Sequence, residues 1–331
     1  MNIVYYVHDL HFPLREGVRK QAWWLAQAMK NEGHDVEIVC TSHKKEKKII
    51  ENIPITYGSA LGIARVRADV MHYISHPTPL ILPLLARART KKNILTMFDG
   101  YLNGFWTRLW NRFVTEMVNK HVDAITLQTD FQIGLLRKTS VRRPVVKIPP
   151  IISELTRRGK RSKQPSLLFM SHLHPNKGIE EVLATYRLIR NTLPGATLTI
   201  ADSGVTLHRD MVMKLRRMHD SSIILRKIVD PAEELSRAWV YLYPLRHPQE
   251  TFSVPLSLIE SMCVGTPWIA SAVGGLSEWF DSRALVPAGD VHAIQEKTLA
   301  FIKRPYVGTL KKKIDNKRVL RQYLALYESS H

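Results

Sequence analysis

Short runs of β-branched and aromatic residues alternate along this chain with segments of helical hydrophobic period, and near residue 150 the alternation pauses and restarts. A parallel strand pair needs a crossover connection, usually a helix, so strands that alternate with helices imply parallel sheets covered by helices. The strand-like runs before the pause are Ile3–Val7, Val36–Cys40, Ile94–Met97, Ala124–Leu127 and Val145–Ile148. Those after it are Leu167–Met170, Thr197–Ala201, Ile223–Arg226, Val240–Tyr243 and Trp268–Ala270. Val18, Ala22, Leu25, Ala26 and Met29 fall at helical spacing, as do Ile179, Val182, Leu183, Tyr186 and Ile189. Asp230-Pro231-Ala232-Glu233 combines a capping box with proline at the first helical position.

The pause is Pro149-Pro150 and the polar, basic stretch Ser153–Gln164 behind it. Prolines interrupt strand pairing, and 331 residues suit two domains better than one. The expected division is a first domain over 1–150 and a second over 151–315. The last segment, 316–331, holds Val319–Tyr327 as a helix that crosses back to the first domain. The fold class is α/β, with two Rossmann-like doubly wound domains. Ligands of such sheets bind beyond the carboxyl ends of the strands, so two facing halves would share one cleft.

The net charge of +19 sets the chain apart from an ordinary soluble protein and predicts attraction to polyanions. The basic runs Lys44–Lys48, Arg157–Lys163 and Lys311–Lys313 read as solvated loops. Trp106, Leu109, Trp110, Phe113 and Met117 share one helical side beside Arg108 and Arg112. That side suits a helix lying on an anionic membrane, or one facing the core of the first domain. No stretch has the roughly 18 consecutive apolar residues of a membrane span. The opening MNIVYYVHDL reads as a strand and not a signal peptide, and two cysteines suit a reducing compartment. The expected location is cytoplasmic, with peripheral attachment to the inner face of the membrane.

The segment from Pro244 to Glu278 concentrates the chemistry. A strand ends at Tyr243, a loop carries Glu250, and a helix that begins near Val254 contains Glu260. A helix N-terminus behind a polar loop offers free N–H groups and a positive dipole, a seat for a diphosphate. Gly274-Gly275 forms a second loop where backbone can approach a ligand closely.

This segment resembles the donor site of the family-four retaining glycosyltransferases of the GT-B fold, the glycosyl transferases group 1. Ser171-His172-Leu173-His174-Pro175-Asn176-Lys177-Gly178 is similar to the family's Gly-Arg-Leu…Lys-Gly loop. Gly265-Thr266-Pro267-Trp268-Ile269-Ala270-Ser271, Gly274-Gly275…Glu278 and Val286-Pro287-Ala288-Gly289-Asp290 resemble the stretches that follow. Gly17, and then Gly33-His34-Asp35-Val36, resemble the family's opening strand–loop–helix and its exit. The resemblance implies a retaining transfer from a nucleotide-diphosphate sugar to a glycan or lipid-linked acceptor.

By that resemblance, Lys177 pairs with the donor diphosphate and Glu260 holds the ribose hydroxyls. Glu250 contacts the transferred sugar, helped by the backbone of Thr251, Phe252 and Ser253. Gly17 lets its loop approach the phosphates, and backbone near Ile228 meets the base. His172 stands where the family has an arginine, so its help to the diphosphate depends on pH near its ordinary value of about 6.5. Asp99 belongs to the acceptor side, with Phe98 where relatives carry a histidine. Nine residues lie between Glu250 and Glu260, a longer spacing than the family's, so either the loop bulges or Glu250 is not the equivalent residue.

The sequence has no Asp-x-Asp pair, and the expectation is no metal and no cofactor beyond the donor. A non-catalytic sugar-nucleotide-binding or partner subunit is the alternative reading. Specific nucleic-acid binding is not expected, because zinc-finger spacing, an RNP motif and a recognition-helix pattern are all missing. Neither the Walker pattern nor Gly-x-Gly-x-x-Gly occurs.

Overall fold

A computed structural model describes residues 1–331 except 9, 15, 43–44, 76–80, 99–104, 154, 157–158, 203–208, 228, 249–252 and 330–331. The side chains of 82–84, 105–111 and 209 are likewise outside the description. The chain divides into two compact units, Met1–Ile152 with Ile314–His331, and Ser153–Lys313.

The first unit runs β1 (Asn2–His8), α1 (Gly17–Asn31), β2 (Asp35–Thr41), β3 (Glu46–Ile50), β4 (Ile53–Gly58), β5 (Arg67–Ile74), α2 (Leu82–Arg87), β6 (Arg89–Thr96), α3 (Phe105–His121), β7 (Ala124–Leu127), α4 (Asp130–Leu136) and β8 (Val145–Lys147). Its sheet has the order β3-β4-β2-β1-β5-β6-β7-β8. Every pair is parallel except β3 with β4, a hairpin whose turn residues Glu51 and Asn52 take positive φ. The central strands are buried on both faces, Val4, Tyr6, Tyr73 and Leu95 packing with Val114 and Val118 of α3.

Lys47 and Lys48, read above as part of a solvated loop, lie on β3. The structural reason is position: β3 is the edge strand, its residues are exposed, and charge on an edge deters pairing with another chain. Lys48 pairs with Glu46 at 3.0 Å and lies over the ring of Tyr57.

The second unit runs β9 (Ser166–Ser171), α5 (Ile179–Thr192), β10 (Thr197–Asp202), α6 (Arg209–Arg217), β11 (Ile223–Lys227), α7 (Pro231–Arg237), β12 (Val240–Tyr243), α8 (Leu256–Cys263), β13 (Trp268–Ser271), α9 (Leu276–Trp279), β14 (Leu285–Val286) and α10 (Val291–Lys303). Its sheet is all parallel in the order β11-β10-β9-β12-β13-β14. Both sheets therefore reverse direction of winding in the middle, between β1 and β5 in the first unit and between β9 and β12 in the second.

The start of α7 follows the sequence signal in part. Asp230 caps it by accepting from Ala232 N–H at 2.9 Å, with Pro231 at the first position. Glu233 instead turns to Arg237 one turn on.

The closing helix α11 (Asn316–Glu328) belongs to the first unit. Val319, Leu320, Tyr323, Leu326 and Tyr327 form its buried face. Tyr327 hydroxyl meets His72 Nδ1 at 2.6 Å and the Tyr5 hydroxyl at 3.3 Å, and His72 Nε2 meets Thr96 Oγ1 at 2.6 Å. Within the first unit, two amide side chains each give donor and acceptor to one residue. Gln21 holds Ile151, with contacts of 2.5 and 2.9 Å, and Asn316 holds Ile152, with contacts of 2.6 and 2.9 Å.

Candidate donor site

In a doubly wound sheet the crevice opens at the carboxyl ends of the two strands where winding reverses. In the second unit those strands are β9 and β12. The loop after β9 carries His172 and Lys177, and the loop after β12 leads to Glu250 and α8. The loops that follow Ser171 and Tyr243 thus leave neighbouring strands by sheet order alone.

The β9 loop is held rigidly. His174 caps a single 3-10 turn, Pro175–Lys177, by accepting from Asn176 N–H, and Gly178 ends it in the left-handed region with φ +83°. Helix α5 starts directly behind, so Lys177 sits half-buried at the positive end of a helix. Gly178 is seated against the next loop: a Cβ there would lie 1.8 Å from the carbonyl oxygen of Pro244. Arg246 completes the junction. Its backbone N–H donates to Asn176 O at 3.0 Å, and its guanidinium donates to Glu180 at 2.9 Å and to the buried Glu181. Lys214 takes the other oxygen of Glu180 at 3.2 Å. Lys214 and then Arg246 hold the Glu180 carboxyl below its ordinary range. The acidic first turn of α5 is therefore engaged by cations of its own unit.

Helix α8 is fixed to the same crest through Tyr241. Its hydroxyl contacts Met170 O at the end of β9 at 3.3 Å and Ser257 Oγ in the first turn of α8 at 3.0 Å. Burial, with the neighbouring Tyr243 and Glu260 adding, drives the Tyr241 hydroxyl far from ionisation. Glu260 is 4 % exposed, so it is not a solvent-facing helix carboxylate. Helix α8 begins at Leu256, later than the expected start near Val254, because Pro255 occupies the cap position with φ −68° and ψ 115°. Half-buried Ser253 precedes it.

His172 and Lys177 thus follow β9, and Ser253 and Glu260 follow β12, the neighbouring strands at the reversal of the second unit. Gly17 lies in the first unit as the opening residue of α1, behind β1 at that sheet's own reversal. Glu250, Thr251, Phe252, Ile228 and Asp99 lie outside the described residues. Phe98 is buried. Arg246, Glu180, Glu181 and Tyr241 were missed by the sequence reading, since no local pattern marks a charged residue as the partner of another 65 positions away.

Residues 164–304 match the family Glycosyl transferases group 1. The chain is 32% identical over 126 residues to the glycogen synthase of Mycobacterium tuberculosis, a match covering 37% of this chain and 29% of that protein. The chain thus spans under a third of the length of the curated relatives it matches. Among solved structures, HepE of Anabaena, in complex with UDP and glucose, superposes with a TM-score of 0.79 at 10% identity, over 100% of both chains. This is the GT-B glycosyltransferase fold. A TarM variant of S. aureus, in complex with UDP, shares it with a TM-score of 0.77 at 9% identity, over 99% of this chain and 100% of its own. The pneumococcal O-GlcNAc transferase GtfA, in complex with UDP and GlcNAc, gives 0.69 at 12% identity, over 99% and 98%. The region that matches the glycosyl transferases group 1 model lies within the second unit of this GT-B chain.

Proposed function

We propose that the chain is a retaining glycosyltransferase that moves a hexosyl group from a nucleotide-diphosphate sugar to a glycan or lipid-linked acceptor. The observation that most supports this reading is that Lys177 follows β9 and buried Glu260 follows β12, the neighbouring strands where winding reverses, with Gly178 packed against Pro244 of the next loop. Glycogen synthase and complexes with UDP among the structural neighbours support the donor class.

In this reading the leaving diphosphate develops negative charge as the sugar ring becomes positive. Preorganised donors at the phosphates are then the largest catalytic contribution. Lys177 and the N-terminal N–H groups of α5 and α8 supply them, with His172 beside them and Gly17 approaching from its own loop. Glu260 accepts from the ribose hydroxyls. Glu250 and the backbone of Thr251, Phe252 and Ser253 hold the sugar, backbone near Ile228 meets the base, and Asp99 serves the acceptor. The sequence lacks the Asp-x-Asp pair that would bridge a metal to the diphosphate, which supports a metal-independent transfer.

The acceptor is met at an anionic membrane on the cytoplasmic side. A net charge of +19 supports this, and among the described residues no helix is long and apolar enough to cross a membrane. A second reading, a non-catalytic sugar-nucleotide-binding subunit, is favoured by Phe98, which is buried where relatives carry a histidine.

The test incubates the protein with UDP-, GDP- and ADP-sugars and a lipid extract, follows nucleoside diphosphate release, and reads the product's anomeric configuration by NMR. Release of one diphosphate with the donor's configuration kept in the product is expected. Stabilisation by a donor without release would select the binding subunit. An inverted product would overturn retention.

A further inference from the structure

The outer side of α3 has a construction that the aromatic stripe in the sequence does not reveal. Val114 and Val118 face the core of the first unit, so the inward side of the helix is already committed. Phe113, Glu116, Met117 and Lys120 follow one another at helical spacing on the other side. With Asn119, Arg142 and Arg143 they line a groove of about 560 Å³. Phe113 is 52% exposed, a large apolar surface for a side chain with charged neighbours.

The groove is built, not incidental to mobile side chains. Asn119 Nδ2 donates to Ser140 O at 2.9 Å, Arg142 N–H donates to Asn119 Oδ1 at 2.8 Å, and the Arg143 guanidinium donates to Asn119 O. These contacts fix the backbone of the 140–143 segment and the Arg143 guanidinium on the end of α3, with the exposed Arg142 beside them. The positive potential is felt by a neighbour: burial first, then Lys120 and Arg143, lower the pKa of His121. Against Lys120, Arg142 and Arg143 the lining contributes one acid, Glu116.

An aromatic ring and a thioether flanked by cations match the boundary of an anionic bilayer, where apolar groups enter the headgroup layer and cations meet lipid phosphates. A polyanion such as nucleic acid would use the charges but gain nothing from Phe113 and Met117 entering an apolar layer. We propose that this face, the C-terminal half of α3 with residues 140–143, is where the protein docks on an anionic lipid surface. The inference rests on the membrane part of the proposed function and on no step of the transfer.

The test is co-flotation of the full chain with vesicles of phosphatidylcholine alone, or mixed with phosphatidylglycerol. Three variants accompany the wild type: Phe113→Ser, the pair Lys120→Glu with Arg142→Glu, and the pair Lys312→Glu with Lys313→Glu. The last pair changes the net charge equally at exposed positions elsewhere. The expected result is salt-sensitive flotation of the wild type with the mixed vesicles only. The groove pair should lower partition by roughly tenfold or more, since each cation near an anionic surface contributes appreciably. Phe113→Ser should weaken it several-fold, and the 312/313 pair should leave it within about twofold. An equal loss in both charge pairs would mean that net charge alone drives attachment and would overturn the docking face. A wild type that does not float, or floats equally with neutral vesicles, would overturn membrane attachment as well. Diphosphate release with a soluble acceptor, measured without vesicles, is expected to be the same in all four proteins, which separates this failure from failure of the transferase reading.

Discussion

Gly178 and Pro244 touch so closely that a Cβ on the glycine would fall 1.8 Å from the proline carbonyl oxygen. Gly178 also holds φ +83°, a conformation other residues rarely adopt. Both facts make the same prediction. Gly178→Ala should destabilise the second unit by about 2 kcal/mol or more, since strain and backbone overlap act together. Thermal unfolding measures the loss. Donor affinity should fall as well, because the shift needed to admit the methyl separates the loops that carry Lys177 and the approach to α8.

Arg246 acts on the same junction by charge. Its backbone holds Asn176 O, and its guanidinium holds Glu180 and Glu181. It is a positioning residue for Lys177 in the proposed reaction. Arg246→Gln should raise the KM for the donor by about tenfold, the scale of one lost charged contact. Arg246→Lys should restore part of it, and kcat should change less than KM. Steady-state kinetics of the two variants checks this; a fall in kcat at constant KM would contradict it.

His72 makes the first unit sensitive to acid. Burial lowers its pKa from 6.5 to about 3. Below pH 6.5 the unfolded chain therefore binds a proton that the folded chain does not, so stability falls as pH drops from about 6.5 toward 3 and levels off below that. Unfolding midpoints should decline over this window less steeply in His72→Gln than in the wild type. Equal slopes would show that His72 does not carry the effect.

Asp230 caps α7 through Ala232 N–H. Asp230→Ala should cost about 1 kcal/mol, the usual value of such a cap. Calorimetry should show the transition of the second unit lowered by roughly 2–4 °C, the scale for a domain of this size. No shift would mean that the cap adds nothing beyond Pro231.

What the sequence makes legible follows from how local each signal is. Ala124–Leu127 and Val240–Tyr243 are strands with those bounds, because short β-branched and aromatic runs between helices have few other uses. Strands β3, β4 and β5 escaped the reading. In β3 the charges of Lys47 and Lys48 mask a strand that needs no buried face at the sheet edge. In β5 the run Arg67–Ile74 opens with an arginine and an aspartate, and only its second half is buried.

The site divides along the same line. Lys177 and Glu260 lie in stretches that resemble the family's motifs, so the sequence names them as candidates. The clamp of Arg246 on Glu180 and Glu181 depends on β9 and β12 being neighbours, a fact of sheet order that no window of sequence contains. The α3 groove has no local signature for a similar reason, since Arg142 and Arg143 are tied to the helix through Asn119, more than 20 positions away.

In the proposed reaction the β9–β12 crest binds a nucleotide-diphosphate sugar through Lys177 and Glu260, which calorimetric titration of UDP, GDP and ADP into the wild type, Lys177→Ala and Glu260→Gln would measure. Binding of one nucleoside diphosphate, weakened by about tenfold or more in each variant while thermal unfolding shows both still folded, is the predicted result. Binding that survives in both variants would contradict the account.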